Sequence, residues 1–157
     1  MAEKSNSDAL CPRCGQEVDS KDDFCVHCGE IFIDRLSCRR HPDRRAEGVC
    51  VICTRSCCPE CGSLVGTVYF CQDHSTVEVF DRGAAVFHLD DLRLVQIAGE
   101  ALNKAHFHPF VVPRAIAPVT NLGRLTSNPT VGAHLVIVPF QEFLAAEEFL
   151  QKNGFSR

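Results

Sequence analysis

The sequence predicts two kinds of structure in one chain: small metal-stabilised modules over the first half, and an α+β domain of element order βαββα over the second. Two observations predict this. All eleven cysteines lie between residues 11 and 71, most in close pairs, and the rest of the chain has none. From Glu78 onward the pattern changes to short apolar runs alternating with stretches of helical periodicity. The first half is poor in large aliphatic residues and buries too little apolar surface to hold itself together, a deficit that small domains usually make up with metals or disulfides.

The pairs are Cys11/Cys14, Cys25/Cys28, Cys38/His41, Cys50/Cys53, Cys58/Cys61 and Cys71/His74. Each offers two close donors to one tetrahedral ion, so the six pairs predict three Zn²⁺ ions. Only Cys57 is left over, and a packed thiol is the expectation for it, against substitution for Cys58 as a ligand or a redox role beside the metal. Disulfides are the alternative for so many cysteines, and they need an oxidising compartment. Met1 to Leu10 is polar and has no apolar core followed by a small-residue cleavage site. No stretch approaches the ~18 apolar residues of a membrane span. The expectation is a reduced, cytoplasmic, zinc-loaded protein with no membrane association.

Formal net charge is −4. Ten ligand thiolates would add −10 and three Zn²⁺ ions +6, for a total of about −8. That weighs against nucleic acid as a partner, because phosphate affinity comes mainly from Lys and Arg. Arg35, Arg39, Arg40, Arg44 and Arg45 cluster around Cys38 and His41. They are expected to offset thiolate charge and solubilise a loop, with an anionic-partner patch as the alternative.

Residues 11–29 open with Cys-Pro-Arg-Cys-Gly and close with Cys-Val-His-Cys-Gly, two near copies of one knuckle. Gly15 and Gly29 follow the second cysteine of each, where the chain curls under the metal and a residue without Cβ can take positive φ. Backbone N–H groups freed by that curl can point at the sulfurs. His27, between two ligands, is expected to be a surface side chain. The paired knuckles resemble a short four-cysteine zinc ribbon, found as an N-terminal module in many prokaryotic proteins. A site with four protein ligands is closed, and closed sites hold structure rather than activate water.

Residues 38–74 run Cys38-x2-His41-x8-Cys50-x2-Cys53-x4-Cys58-x2-Cys61-x9-Cys71-x2-His74. Spacing alone leaves open whether neighbouring pairs share an ion or the pairs interleave. Interleaving closes longer loops and ties distant segments together. The order and spacing, with His41-Pro42, Ala46 ahead of Cys50 and Tyr69-Phe70-Cys71, resemble a compact B-box zinc finger. That resemblance implies a cross-brace, with Cys38, His41, Cys58 and Cys61 on one ion and Cys50, Cys53, Cys71 and His74 on the other. No separate RING octet is present, so the resemblance implies a protein-contact surface and not ligase activity.

In the second half, Ala84 to Leu89 suits a strand, and Asp90 and Asp91 supply the acidic start of a helix along which Leu92, Val95, Ala98 and Leu102 recur. Phe110 to Val112 predicts a second strand cut by Pro113, and His134 to Val138 a third. Pro139 sits where a last helix can begin, with Phe143, Ala146 and Leu150 on one face and Asn153-Gly154 at its end. The segment from Ala115 to Val131 is long and polar, a candidate ligand- or protein-reading loop or a solvated one; it carries no GxxxxGK[ST] or GxGxxG, and Arg114 and Arg124 make a weak anion site. His88, His106, His108 and His134 lack ligand spacing, and His106-x-His108 reads as the entry to a strand.

Over residues 83–153, Leu89-Asp90-Asp91 leading into a helix, the middle hairpin, and Leu135-Val136-Ile137-Val138-Pro139 leading into the last helix resemble a small prokaryotic family of signal-transducing-like proteins. That family has no known biochemical activity, and the resemblance implies a PII-like, ferredoxin-like fold. A βαββα unit leaves one sheet face to be covered. The zinc half, a second copy of the domain in a homodimer, or a partner are the possible covers.

No paired carboxylates and no nucleophile elbow stand out, so no enzyme is expected. The sequence as a whole points to a zinc-binding, non-catalytic adaptor or regulator that works through protein–protein interaction. A nucleic-acid-associated protein and an accessory subunit of an enzyme or ligase are the alternatives.

Overall fold

A computed structural model describes residues 9–80, 83–114 and 134–155. The chain divides into two compact units, Met1–Ser75 and Thr76–Arg157. The predicted loop from Ala115 to Val131 lies outside the described residues, as does Arg124.

Among the described residues the first unit holds three short antiparallel hairpins. Strand β1 (Ala9–Leu10) pairs β2 (Glu17–Val18), β3 (Gly48–Val49) pairs β4 (Ser56–Cys57), and β5 (Gly62–Val65) pairs β6 (Val68–Cys71). The first two hairpins each flank a ligand pair, Cys11/Cys14 and Cys50/Cys53, so the turn of the hairpin is the metal-binding knuckle. Strands of two residues gain little from their own ladder bonds. What is buried around them is mostly cysteine, with Val49, Val51, Ile52, Tyr69 and Phe70 as the larger side chains.

Tyr69 is the centre of this small core. Gly48 lies flat against its ring, where an added Cβ would fall 2.3 Å from ring carbons. Its hydroxyl reaches the carbonyls of Cys57 and Cys58 at 3.4 and 3.5 Å. Its N–H donates to the carbonyl of Cys28 at 2.9 Å, and its carbonyl accepts from the N–H of Val51 at 3.2 Å. The N–H of Val49 donates to the carbonyl of Gly29 at 2.9 Å. The knuckle at Cys25–Gly29 is thereby bonded to β3 and β6, which joins the four-cysteine stretch and the residues after it into one packed body.

The second unit is a curled four-stranded antiparallel sheet with helices. Strands β7 (Val79–Phe80), β8 (Gly83–Leu89), β9 (Phe110–Pro113) and β10 (His134–Pro139) lie in the order β7-β8-β10-β9. β10 is antiparallel to both β8 and β9, so those two strands run parallel with β10 between them, and helix α1 (Leu92–Lys104) makes the crossover. The predicted order βαββα is present, with β7 added at one edge. A bulge in the β8–β10 pairing sets in between Val136 and Ile137. It bends the sheet locally and raises its twist.

Helix α1 begins where the acidic pair predicts, with the Asp91 carboxylate accepting the N–H of Arg93 at 2.8 Å. Val95, Ala98 and Leu102 are fully buried, but Leu92, expected on the same face, is 41% exposed. It is the first residue of the helix, a turn short of the packed face. The helix ends on His106 in a left-handed conformation (φ 66°), with the N–H of His106 on Asn103 and that of Phe107 on Leu102. His106 is therefore a helix-ending corner, and Phe107 to Pro109 lead from it into β9 as the strand entry expected there.

After β10 a short 3₁₀ turn, Phe140–Glu142, leads into α2 (Phe143–Lys152), so Pro139 closes the strand and the helix starts four residues later. Phe143, Ala146 and Leu150 are its buried face, as the spacing predicts. Gly154 (φ 83°) turns the chain so that the N–H of Phe155 caps Leu150 at 2.9 Å and its ring meets Phe87 edge-on at 5.8 Å. The register puts Phe87, Val136 and Val138 on one sheet face with Val111, against which α1 packs at Gly99. Ala85, Leu135 and Ile137 cluster with Phe80 on the other face, and all four are buried.

Candidate metal centres

Three knuckles of the first unit are copies of one backbone device. In each, the N–H of the first cysteine donates five residues ahead: Cys11 to Gln16 (2.8 Å), Cys25 to Glu30 (2.8 Å) and Cys50 to Arg55 (2.9 Å). The N–H four residues on donates back to that cysteine's carbonyl, from Gly15, Gly29 and Thr54, at 2.8 Å in every case. This closed loop forces positive φ at its fourth step, and the angles there are 69° at Gly15, 79° at Gly29 and 55° at Thr54. The third copy was not visible in the sequence because threonine stands where the other two have glycine.

The loop also aims backbone N–H groups at sulfur. Cys11 receives them from Arg13 and Cys14, Cys25 from His27 and Cys28, and Cys50 from Ile52 and Cys53. Cys38 has the same pattern from Arg40 and His41. Such donors favour thiolate, the form that binds a metal, although burial outweighs them at Cys25 and the Cys53 thiol together with burial outweighs them at Cys50. At Cys38 burial works the other way, yet the N–H groups of Cys58, His41 and Arg40 outweigh it and bring the thiol down to about 6.

The twelve predicted ligands gather into three clusters of four: Cys11, Cys14, Cys25 and Cys28; Cys38, His41, Cys58 and Cys61; and Cys50, Cys53, Cys71 and His74. Within each cluster the donor atoms lie within 4.8 Å of one another. The pairs interleave between the second and third clusters, which settles what spacing left open. His27, half-buried, belongs to none of them.

The separations fit a tetrahedral ion. Zn–S bonds of ~2.3 Å and Zn–N bonds of ~2.0 Å put donors about 3.8 Å apart for two sulfurs and about 3.5 Å for sulfur and nitrogen. The Sγ atoms of Cys11 and Cys28 are 3.6 Å apart, those of Cys14 and Cys25 3.7 Å, and those of Cys53 and Cys71 3.8 Å. His41 Nδ1 lies 4.0, 3.4 and 3.3 Å from the sulfurs of Cys38, Cys58 and Cys61. His74 Nδ1 lies 3.5 and 3.2 Å from those of Cys50 and Cys71. Three zinc ions fit, and both histidines turn Nδ1 to the site, a choice no spacing reveals.

Two residues around the third cluster escaped the sequence reading. Arg55 places Nε 3.3 Å from the Cys53 sulfur and a terminal nitrogen 2.7 Å from Asp73. The neighbouring Cys50 thiol and this guanidinium hold Cys53 far below the ordinary cysteine range, at about 4. The only sequence signal was position: Arg55 is the knuckle residue whose carbonyl Cys50 bonds. Asp73 sits beside His74 and ties Arg55 down.

Cys57 stands apart from all three clusters. It is buried, its Sγ faces the carbonyl of Arg55 at 3.5 Å, and burial pushes its thiol up to about 12. Those are the properties of a packed thiol. The arginines nearby are partly engaged: Arg44 pairs with Glu60 at 2.5 Å, Arg45 with Asp34 at 3.0 Å, and Arg40 reaches Gln72 at 3.5 Å. In the second unit no metal cluster forms among the described residues, and Glu142 holds His108 through its N–H (2.8 Å) and Nδ1 (2.6 Å). Arg114 is paired with Glu78. No described helix is long and apolar enough to cross a membrane.

Compared with known proteins, the chain matches no family model, no curated protein and no solved structure.

Proposed function

We propose that this protein is a zinc-binding, non-catalytic adaptor or regulator that works in the cytoplasm by contacting another protein. One observation carries the reading: each cluster offers four protein donors to one ion, so no coordination position is left for water or substrate. Metals so enclosed stabilise loops, and rigid loops on a metal frame make contact surfaces. The first cluster is read as a zinc ribbon and the next two as a B-box-like cross-brace. The second unit is read as a ferredoxin-like, signal-transducing domain, a reading supported by the split crossover of β8, α1 and β9 around β10.

Affinity capture from native cells with mass spectrometry tests the proposal, comparing the full chain with a Cys38→Ser, Cys50→Ser double variant. Partners lost from the variant are expected; an unchanged set would remove the cross-braced region as the contact surface. Cobalt substitution tests the non-catalytic part. Tetrahedral thiolate spectra at all three sites are expected, and a five- or six-coordinate signature would contradict it. The proposal includes self-association through the sheet of the second unit, whose edge strand β9 leaves Phe110 64% exposed. A monomeric mass in light scattering at micromolar concentration would count against that part.

A further inference from the structure

We infer that a groove in the first unit, between residues 30–34 and residues 45–47, docks an extended segment of a partner protein carrying large apolar side chains between lysines or arginines. The inference rests on the protein-contact reading above and adds the chemistry of the partner. The groove encloses about 430 Å³, with Pro59 on its lining. That is room for one or two large side chains. Phe32 and Ile33 line it and are 36% and 37% exposed, although both walls are fixed. The N–H of Phe32 donates to Asp23 at 2.9 Å, Ile31 bridges to Phe24, and Arg45 bridges to Ser37. Apolar side chains held open to water on a rigid backbone gain free energy when another apolar group covers them, with little ordering cost.

The charge of the rim selects among possible occupants. Glu30, Asp34 and Glu47 line the groove against one cation, Arg45, which is already engaged with Asp34 at 3.0 Å. Glu30 is held by Arg13, and Glu47 is exposed and makes no ion pair among the described residues. With Glu30 held by Arg13 and Asp34 by Arg45, the uncompensated charge on the lining is the Glu47 carboxylate, which attracts a cationic side chain and disfavours an acidic one.

The test uses the full zinc-loaded chain and fluorescence anisotropy of the labelled hexapeptide Lys-Leu-Arg-Phe-Lys-Leu. The controls are Glu-Leu-Asp-Phe-Glu-Leu, Lys-Ser-Arg-Ser-Lys-Ser and a uridine decamer. Saturable binding of the first peptide is expected, weakened about tenfold by Glu47→Lys and by Ile33→Asp, each variant being checked to keep three zinc ions. The absence of saturable binding, equal binding of any control, or indifference to both substitutions would overturn the inference. The cellular capture separates the two readings. Partners lost from the Cys38→Ser, Cys50→Ser form but kept by Glu47→Lys would overturn the groove and leave the contact reading standing. Partners kept by both would count against each.

Discussion

Gly15, Gly29 and Thr54 occupy the same corner of three knuckles, and their environments differ in a way that substitutions can read. Nothing lies within 4 Å of a Cβ built on Gly15, whereas one on Gly29 would fall 2.0 Å from the carbonyl oxygen of Val49. Gly15→Ala therefore carries only the left-handed backbone penalty, about 1 kcal/mol. Gly29→Ala adds a collision with backbone and should cost several times more in urea unfolding of the zinc-loaded protein. Thr54 already bears that penalty at φ 55°, so Thr54→Gly should stabilise by about 1 kcal/mol, read as a raised melting temperature. Cys57→Ser should keep three zinc ions by elemental analysis. In the parent protein iodoacetamide at pH 8 should leave Cys57 unmodified until the chain is denatured, because its thiol is buried and ionises only near 12. Loss of one zinc equivalent from Cys57→Ser would make Cys57 a ligand.

Among the elements, the helices show what spacing can and cannot convey. Val95, Ala98 and Leu102 were legible on α1 because burial against a sheet imposes helical periodicity. Leu92 fits that periodicity equally well, yet it is exposed, because where the supporting sheet stops is a property of other segments. Leu102→Ala should cost about 2–5 kcal/mol, and Leu92→Ala less than about 0.5, in denaturant titrations following helix content. The C-terminal corners make a similar contrast. Asn153-Gly154 announced the end of α2, while α1 ends on His106, a residue without a turn signature. His106→Gly should relieve the left-handed strain and stabilise by about 1 kcal/mol.

In the whole molecule, the two units owe their stability to different interactions. The first buries chiefly cysteines, and its strands are two to four residues long, so it depends on ions that close loops spanning Cys11 to Cys28, Cys38 to Cys61 and Cys50 to His74. The second packs α1 and α2 on a four-stranded sheet and buries Val95, Leu102, Phe143 and Leu150 of the helices with Val86, Leu135, Val136 and Val138 of the strands. A strong chelator should therefore unfold the first unit and leave the second folded. Hydrogen exchange should show loss of protection across residues 9–75, with retained protection in α1, β8 and β10. Uniform loss across both units would contradict this division. By itself the sequence determined the donor set, the number of ions it serves and the βαββα order of the second unit, though not its edge strand β7. Those properties follow from local chemistry: which atoms bind zinc, how far apart two residues of one turn lie, and which side chains repeat at helical or strand period. The interleaving of the second and third clusters, the choice of Nδ1, the bonding of Cys28 and Gly29 to β3 and β6, and the third knuckle at Thr54 were decided by tertiary structure alone. Each depends on where segments far apart in the chain meet, and spacing along a sequence does not carry that distance.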